Sequence, residues 1–227
     1  EVAWFETAKM DEPWSAGWIS PDFEDTQTHP VIFKQFDLPT EASSARLYIC
    51  GLGLYHCELN GARVGDEYLT PFCNAYDRWL QYQTYDLTGQ LRQGENQLRV
   101  MLGNGWYKGR YGLQFDASTP PAYGDAFALI CELRISLANG EELVVGTDDS
   151  WKAVPAPVLE SSIYDGEVYD ARQAASLQPG YAPERTFAVK PVALEMNLLE
   201  ARRSLPVCIN EELKPLAVLH TPAGETV

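Results

Sequence analysis

Apolar and polar residues alternate along much of the chain with the period of two that a half-buried β-strand imposes. The cleanest case is "FALICELRISLANGEELVVGT" at 127–147. Leu129, Cys131, Leu133, Ile135 and Leu137 fall on one face, and Asn139-Gly140 supplies a turn before the return strand. A second hairpin lies in "ARLYICGLGLYHCELNGARVGDEYL" at 45–69. It pairs a strand over 54–59 with a return strand from 62, across Asn60-Gly61, two residues that tolerate positive φ. Further strands are predicted over 96–102, and shorter ones over 31–38 and 82–87. The helical period is weak. It predicts a short helix in "YDARQAASL" at 169–177, and one or two turns in "EMNLLEARR" at 195–203, ahead of Pro206. The pattern predicts an all-β chain: an antiparallel β-sandwich of jelly-roll type with short helices in the connections. Soft boundaries near 17 and 190 divide it into 1–17, 18–190 and 191–227.

Composition narrows the chemistry. A formal net charge of −15 over 227 residues argues against nucleic acid and anionic membranes as partners, since both need a basic footprint. No apolar run reaches membrane-spanning length. Aromatic residues make up 11% of the chain. They suit a β-rich core and equally suit stacking on sugar faces. The five cysteines show no CxxC and no disulfide spacing. Cys50, Cys57 and Cys131 lie in strand-like runs and read as buried thiols. That usage favours a reducing, cytoplasmic compartment over a secreted one. The sequence begins at Glu1 and shows no signal segment, which suggests a piece of a longer protein.

No phosphate loop, dinucleotide fingerprint, nucleophile elbow or zinc-protease motif is present. His29, His56 and His220 are far apart, which argues against a multi-histidine metal site, and His56 reads as a packed or edge histidine. Asp148 and Asp149 read as a solvated turn before Trp151. Two segments carry candidate chemistry. "YDGEVYD" at 164–170 gathers Asp165, Glu167 and Asp170, whose oxygens suit a hard cation, sugar hydroxyls or acid–base work on a glycoside. "LGNGWYKGRYG" at 102–112 ends a strand at a turn, Asn104-Gly105, and then presents Trp106 and Tyr107. Either ring could stack on a sugar, with Asn104 as donor and acceptor and Glu167 and Asp170 taking hydroxyl protons. The same residues also fit a structural role, with Trp106 capping the sandwich and Arg172 paired to Glu167 or Asp170.

The blocks "GLGLYHCELNGARVGDEYLTP", "YQTYDLT", "GENQLRVMLGNGWYKG", "TDDSWKA" and "DGEVYDAR" follow one another in this order. Together they resemble the N-terminal accessory β-domain of bacterial α-L-rhamnosidases, a glycoside hydrolase family, over about 18–192. The resemblance implies a galactose-binding-like jelly roll. It implies that 1–17 ends a preceding fibronectin-like domain or linker, and that 191–227 is a linker leading into the next β-domain. It further implies that hydrolysis, with inversion, belongs to an (α/α)-barrel domain of the same parent chain. The barrel's acidic segment is absent here, so no catalytic residue is assigned. The expected function is noncatalytic support of the barrel, with binding of rhamnosyl glycans. The alternative is an independent carbohydrate-binding module with a calcium-assisted L-rhamnose site. No metal ligand is assigned.

Overall fold

The computed structural model describes residues 6–110, 123–178, 183 and 185–225. Fourteen strands are found among them: β1 (Ile19–Pro21), β2 (Pro30–Leu38), β3 (Ala42–Leu52), β4 (Leu54–Leu59), β5 (Ala62–Arg63), β6 (Leu80–Asp86), β7 (Gly94–Gly103), β8 (Ala128–Leu137), β9 (Glu142–Gly146), β10 (Lys152–Pro155), β11 (Val158–Ser162), β12 (Gly166–Tyr169), β13 (Phe187–Pro191) and β14 (Leu199–Ala201). Two short 3₁₀ helices, Ala171–Leu177 and Met196–Leu198, are the helical elements of the described residues.

Hydrogen bonds link the strands in the order β14-β6-β3-β8-β1-β13-β10-β2-β7-β4-β5, with β9 beside β8. The path forms two layers, joined where β1 pairs with both β8 and β13. The longest pairings set the frame: β3 against β8 from Ala42↔Leu137 to Leu52↔Ala128, and β2 against β7 from Val31↔Met101 to Leu38↔Gly94. Between the layers lie Leu47 and Ile49 of β3, Leu129, Cys131, Leu133 and Ile135 of β8, Leu98, Val100 and Leu102 of β7, Cys57 and Leu59 of β4, and Trp151. The predicted period-two face of β8 is therefore the core face. Cys50, Cys57 and Cys131 are buried free thiols, and burial pushes each thiol far up from its usual range.

Asn60 and Gly61 both take positive φ, 55° and 81°, which is the two-residue turn their sequence predicts. At the second hairpin only Gly140 does so, and the turn is longer: Leu137 donates its N–H to the Glu141 carbonyl. The segment 195–203 departs from its helical expectation. After one 3₁₀ turn it becomes β14, which pairs parallel to β6 from Leu199↔Leu80 to Ala201↔Tyr82. The reason is tertiary: the edge of β6 offers unpaired backbone groups, which outweigh a weak local helical preference.

The outer face of β3, β6 and β8 is also buried. Tyr48, Cys50, Leu52, Leu80, Tyr82, Ala128 and Ile130 form a second apolar cluster. Residues 8–18 cover it from one side, and 192–201 from the other. Within this cluster sits Glu132, 0% exposed. Lys9 reaches it at 2.6 Å and Arg134 at 2.7 Å, and the Ser15 N–H donates to its other oxygen. The Lys9 ammonium lies 5.0 Å from the ring centroids of both Trp14 and Tyr48. Burial alone raises the Glu132 carboxyl, and the hydrogen bonds from Lys9, Arg134 and Ser15 more than offset it, leaving it below the usual range.

Removing one partner of such a pair strands a buried charge, at a cost of about 3–5 kcal/mol. Lys9→Met is expected to lower the urea-unfolding free energy by that order at pH 7. Lys9→Met combined with Glu132→Met should recover most of the loss. A single-variant loss under about 1 kcal/mol would show that Arg134 alone satisfies the carboxylate.

Candidate functional site

β11 and β12 form a separate two-stranded ribbon whose residues are largely exposed. Two anchors hold it to the sandwich. At its tip, Arg110 clasps Asp165 with Nε and Nη2 at 3.0 and 2.9 Å, and its guanidinium lies 4.5 Å from the centroid of the Tyr164 ring. Beside the tip, at the second ladder pair, Ser161 Oγ accepts the Asn104 backbone N–H at 2.9 Å and lies 2.8 Å from His29 Nε2. The Asn104 amide nitrogen donates to the Ser161 carbonyl at 2.9 Å.

The corner after β7 explains how one short stretch serves two surfaces. The Lys108 N–H donates to the Asn104 carbonyl at 3.1 Å, closing a single helical turn. In such a turn residues four apart share a side, and those between them face elsewhere. Asn104 and Lys108 accordingly line one cleft. Trp106 and Tyr107 pack against the outer-face cluster instead. Tyr107 meets Tyr76 with ring centroids 5.1 Å apart. Gly105 makes the turn possible. Its φ is +53°, and a Cβ there would come 2.9 Å from Leu54 Cγ and 3.0 Å from the Leu54 nitrogen.

The ribbon separates two clefts. The larger, about 700 Å³, is mostly apolar and includes Leu69, Met101, Val158 and Ile163, with Tyr68 and Glu67 at its edge. Arg63 stacks on Tyr68 at 4.1 Å. The smaller, about 550 Å³, is polar: Gln27, His29, Asn104, Lys108, Arg110 and Ser161 are among its walls. Glu167 borders both.

The five residues singled out in the sequence thus divide into three places. Asn104 and Glu167 meet at the polar cleft. Trp106 and Tyr107 pack on the far side of the corner. Asp170 caps the 3₁₀ helix Ala171–Leu177, accepting from the Arg172 backbone at 3.1 Å and from its guanidinium at 2.8 and 2.9 Å. Those bonds hold its carboxyl well below the usual range. Asp165 is likewise lowered, first by Arg110 and then by Ser162. Arg172 therefore pairs with Asp170 rather than Glu167. His56 is an edge histidine, 3.2 Å from Glu58. Among the described residues no group of three or more His, Cys, Asp or Glu side chains converges to hold a metal ion. Asp165, Glu167 and Asp170 thus do not form a calcium cage. Among the described residues no helix is long and apolar enough to cross a membrane.

Three residues of the polar cleft carried no sequence signal: His29, Lys108 and Ser161. Lys108 is 4% exposed, donates to Gln27 Oε1 at 2.6 Å and lies 4.7 Å from the Phe127 centroid. Burial lowers its pKa, and Asp125 and Asp25 partly restore it. Only the "K" of "WYKG" stood within a noted motif.

Two β-layers with two adjoining clefts beside an exposed ribbon define a β-sandwich domain, and comparison supplies the family. Residues 40–211 match the profile of the α-L-rhamnosidase N-terminal domain, and the chain belongs to that family. An α-L-rhamnosidase of Streptomyces avermitilis is 31% identical over 251 aligned positions, covering 99% of this chain and 24% of the relative. The crystal structure of native α-L-rhamnosidase from Aspergillus terreus superposes with a TM-score of 0.83 at 33% identity, over 93% of this chain and 25% of that one. The Streptomyces avermitilis enzyme solved in complex with L-rhamnose gives a TM-score of 0.76 at 34% identity, over 85% and 19%. The chain spans 15–25% of the length of the curated relatives it matches.

His29 gives the site a pH signature. Burial, then the Lys108 charge, lower its pKa from 6.5 to about 4. A depressed pKa means that its contribution to stability is complete above 6.5. It is lost as pH falls through the interval down to about 4, because the unfolded imidazole takes the proton first. The shift corresponds to at most about 3 kcal/mol. Urea midpoints of the parent chain should fall more steeply between pH 6.5 and 4 than those of His29→Gln. Parallel slopes would show that His29 is not held neutral by the fold.

Proposed function

We propose that this chain is a noncatalytic accessory domain of an α-L-rhamnosidase. It supports the catalytic portion of a longer protein, an (α/α)-barrel domain of the same chain, and offers a binding surface to rhamnosyl glycans. The observation that carries the noncatalytic part is the commitment of the carboxylates beside the clefts. Acid–base cleavage of a glycoside needs two carboxyl groups facing the scissile bond, one protonated and one free. Here Asp165 is clasped by Arg110 and Asp170 by Arg172. Both are held ionised by those bonds, so neither is poised to donate a proton. Glu160 and Glu167, which line the same polar cleft, have no side-chain hydrogen-bond or ion-pair partner among the described residues, and both are exposed on the ribbon, so no apolar pocket of the kind that keeps a carboxyl protonated encloses either one.

The supporting role rests on the relatives. They are α-L-rhamnosidases about four times the length matched here. A calcium-assisted sugar site gains no support from the acidic ribbon, because its carboxylates point to separate partners. The purified chain is expected to release the chromophore of an aryl α-L-rhamnoside at the rate of a protein-free blank from pH 4 to 8, with or without calcium. Saturable turnover above that blank, lost on heating, would overturn the noncatalytic reading.

A further inference from the structure

The large apolar side chains that the fold leaves in solvent are densest in one stretch, 205–219. Leu205, Val207, Ile209, Leu213, Leu216 and Leu219 are all exposed there, Leu205 and Leu213 to 88% and 82%. In the first part of the stretch they alternate with Pro206, Cys208 and Asn210, the period of an extended chain with two unlike faces. Cys208 is half-buried, near Asp66 and Glu67. Leu205, Val207 and Ile209 therefore share the outward face. Tyr68, which pairs with Val207, and Leu69 are exposed as well, and they continue the strip to the apolar cleft.

The segment that carries this face is not a loose tether. Gln81, 2% exposed, accepts the N–H groups of Arg203 and Ser204 at 2.9 and 3.2 Å through a single oxygen. Its amide nitrogen donates in turn to Asn74 Oδ1 at 3.2 Å. The Arg202 N–H donates to the Tyr82 carbonyl at 3.1 Å, and its guanidinium pairs with Glu67. The Tyr68 N–H donates to the Val207 carbonyl at 2.8 Å. This clamp fixes the course of 202–207 while Leu205 and Val207 stay in water. An apolar strip held out in that way marks an interaction surface.

We infer that the strip of Leu205, Val207 and Ile209, with the exposed stretch up to Leu219, is an interdomain docking surface, covered by an apolar face of another part of the same, longer parent protein. The relatives favour a partner in the same chain: this chain spans 15–25% of their length, so most of each relative lies outside the match. A tethered partner meets the strip at an effective concentration on the order of millimolar. A second copy is opposed by the net charge of −15 on each molecule. The clamp lowers the entropy cost of docking, because 202–207 is ordered before the partner arrives.

The inference rests on the supporting role proposed above, and hydrogen–deuterium exchange of this chain and of the parent protein separates the two. Amides of 208–219 should exchange at least about tenfold more slowly in the parent protein. Leu205→Asp combined with Ile209→Asp should restore fast exchange there. In this chain the same pair should leave the melting midpoint within about 2 °C, since exposed positions contribute little to its stability. Equal exchange of 208–219 in the two proteins would overturn the docking surface. Slower exchange elsewhere on the domain would then keep the supporting role, and its absence everywhere would overturn that role too. Protection that survives the double substitution would overturn the assignment of the outward face. A concentration-dependent dimer of this chain in sedimentation, lost in the double variant, would give the strip to a second copy instead. The exchange comparison needs no variant, so it decides even where the substituted parent protein does not fold.

Discussion

Burial of Glu132 on the outer face of β8 is the constraint on which the surrounding architecture depends. A sandwich needs one apolar face per sheet, and β8 has two buried faces. A carboxylate on the second face cannot stay in water, and it cannot be left alone in the interior. Lys9 must therefore come to it from 123 positions away, bringing Trp14 to the rings of Tyr48 and Tyr82. Arg134 completes the set and reaches on to Glu12 at 2.6 Å. The segment before β1 is held on the sheet by charge as much as by apolar contact, and the outer cluster is closed by the same step.

Closing that cluster also accounts for the aromatic residues around it. Trp14, Tyr48, Tyr76, Tyr82, Trp106 and Tyr107 all belong to this second layer. Their number reflects a sheet that is covered on both sides, and rings packed edge to face fill the space between strands and covering segments. Two buried polar atoms without partners, Asn104 Oδ1 and His29 Nδ1, lie outside this layer, at the polar cleft beside β11 and β12.

The strands were legible because their information is local. Period-two alternation in β8, and two turn residues at Asn60-Gly61, specify structure within a few positions. What the sequence concealed was set over long distances. Glu132 occupies a polar position in an alternating strand and reads as solvent-facing, until Lys9 is placed against it. β14 reads as a helical turn until the edge of β6 is there to pair with it. His29 and Ser161 are 132 positions apart, and no spacing rule connects them. Asp165, Glu167 and Asp170 are gathered by the sequence in one short segment, and the fold spreads them over the ribbon's turn, β12 and the cap of the 3₁₀ helix. Their side-chain directions were not readable, because Asp165 and Asp170 are turned by Arg110 and Arg172, and the pairing depends on the turn and cap geometry of the folded ribbon.

The corner after β7 joins these two levels. A single i to i+4 backbone bond, from Lys108 to Asn104, sorts five consecutive residues by side. The rings go to the packed layer and the amide and ammonium go to the cleft. A sugar platform built on Trp106 would have to take that ring out of the outer cluster and lose its packing. A site built on Asn104 and Lys108 uses groups whose hydrogen-bonding capacity the fold leaves unfilled. In a closely packed domain, ligand recognition costs least where side chains still lack partners, and here that criterion selects the polar side of the turn over the aromatic one.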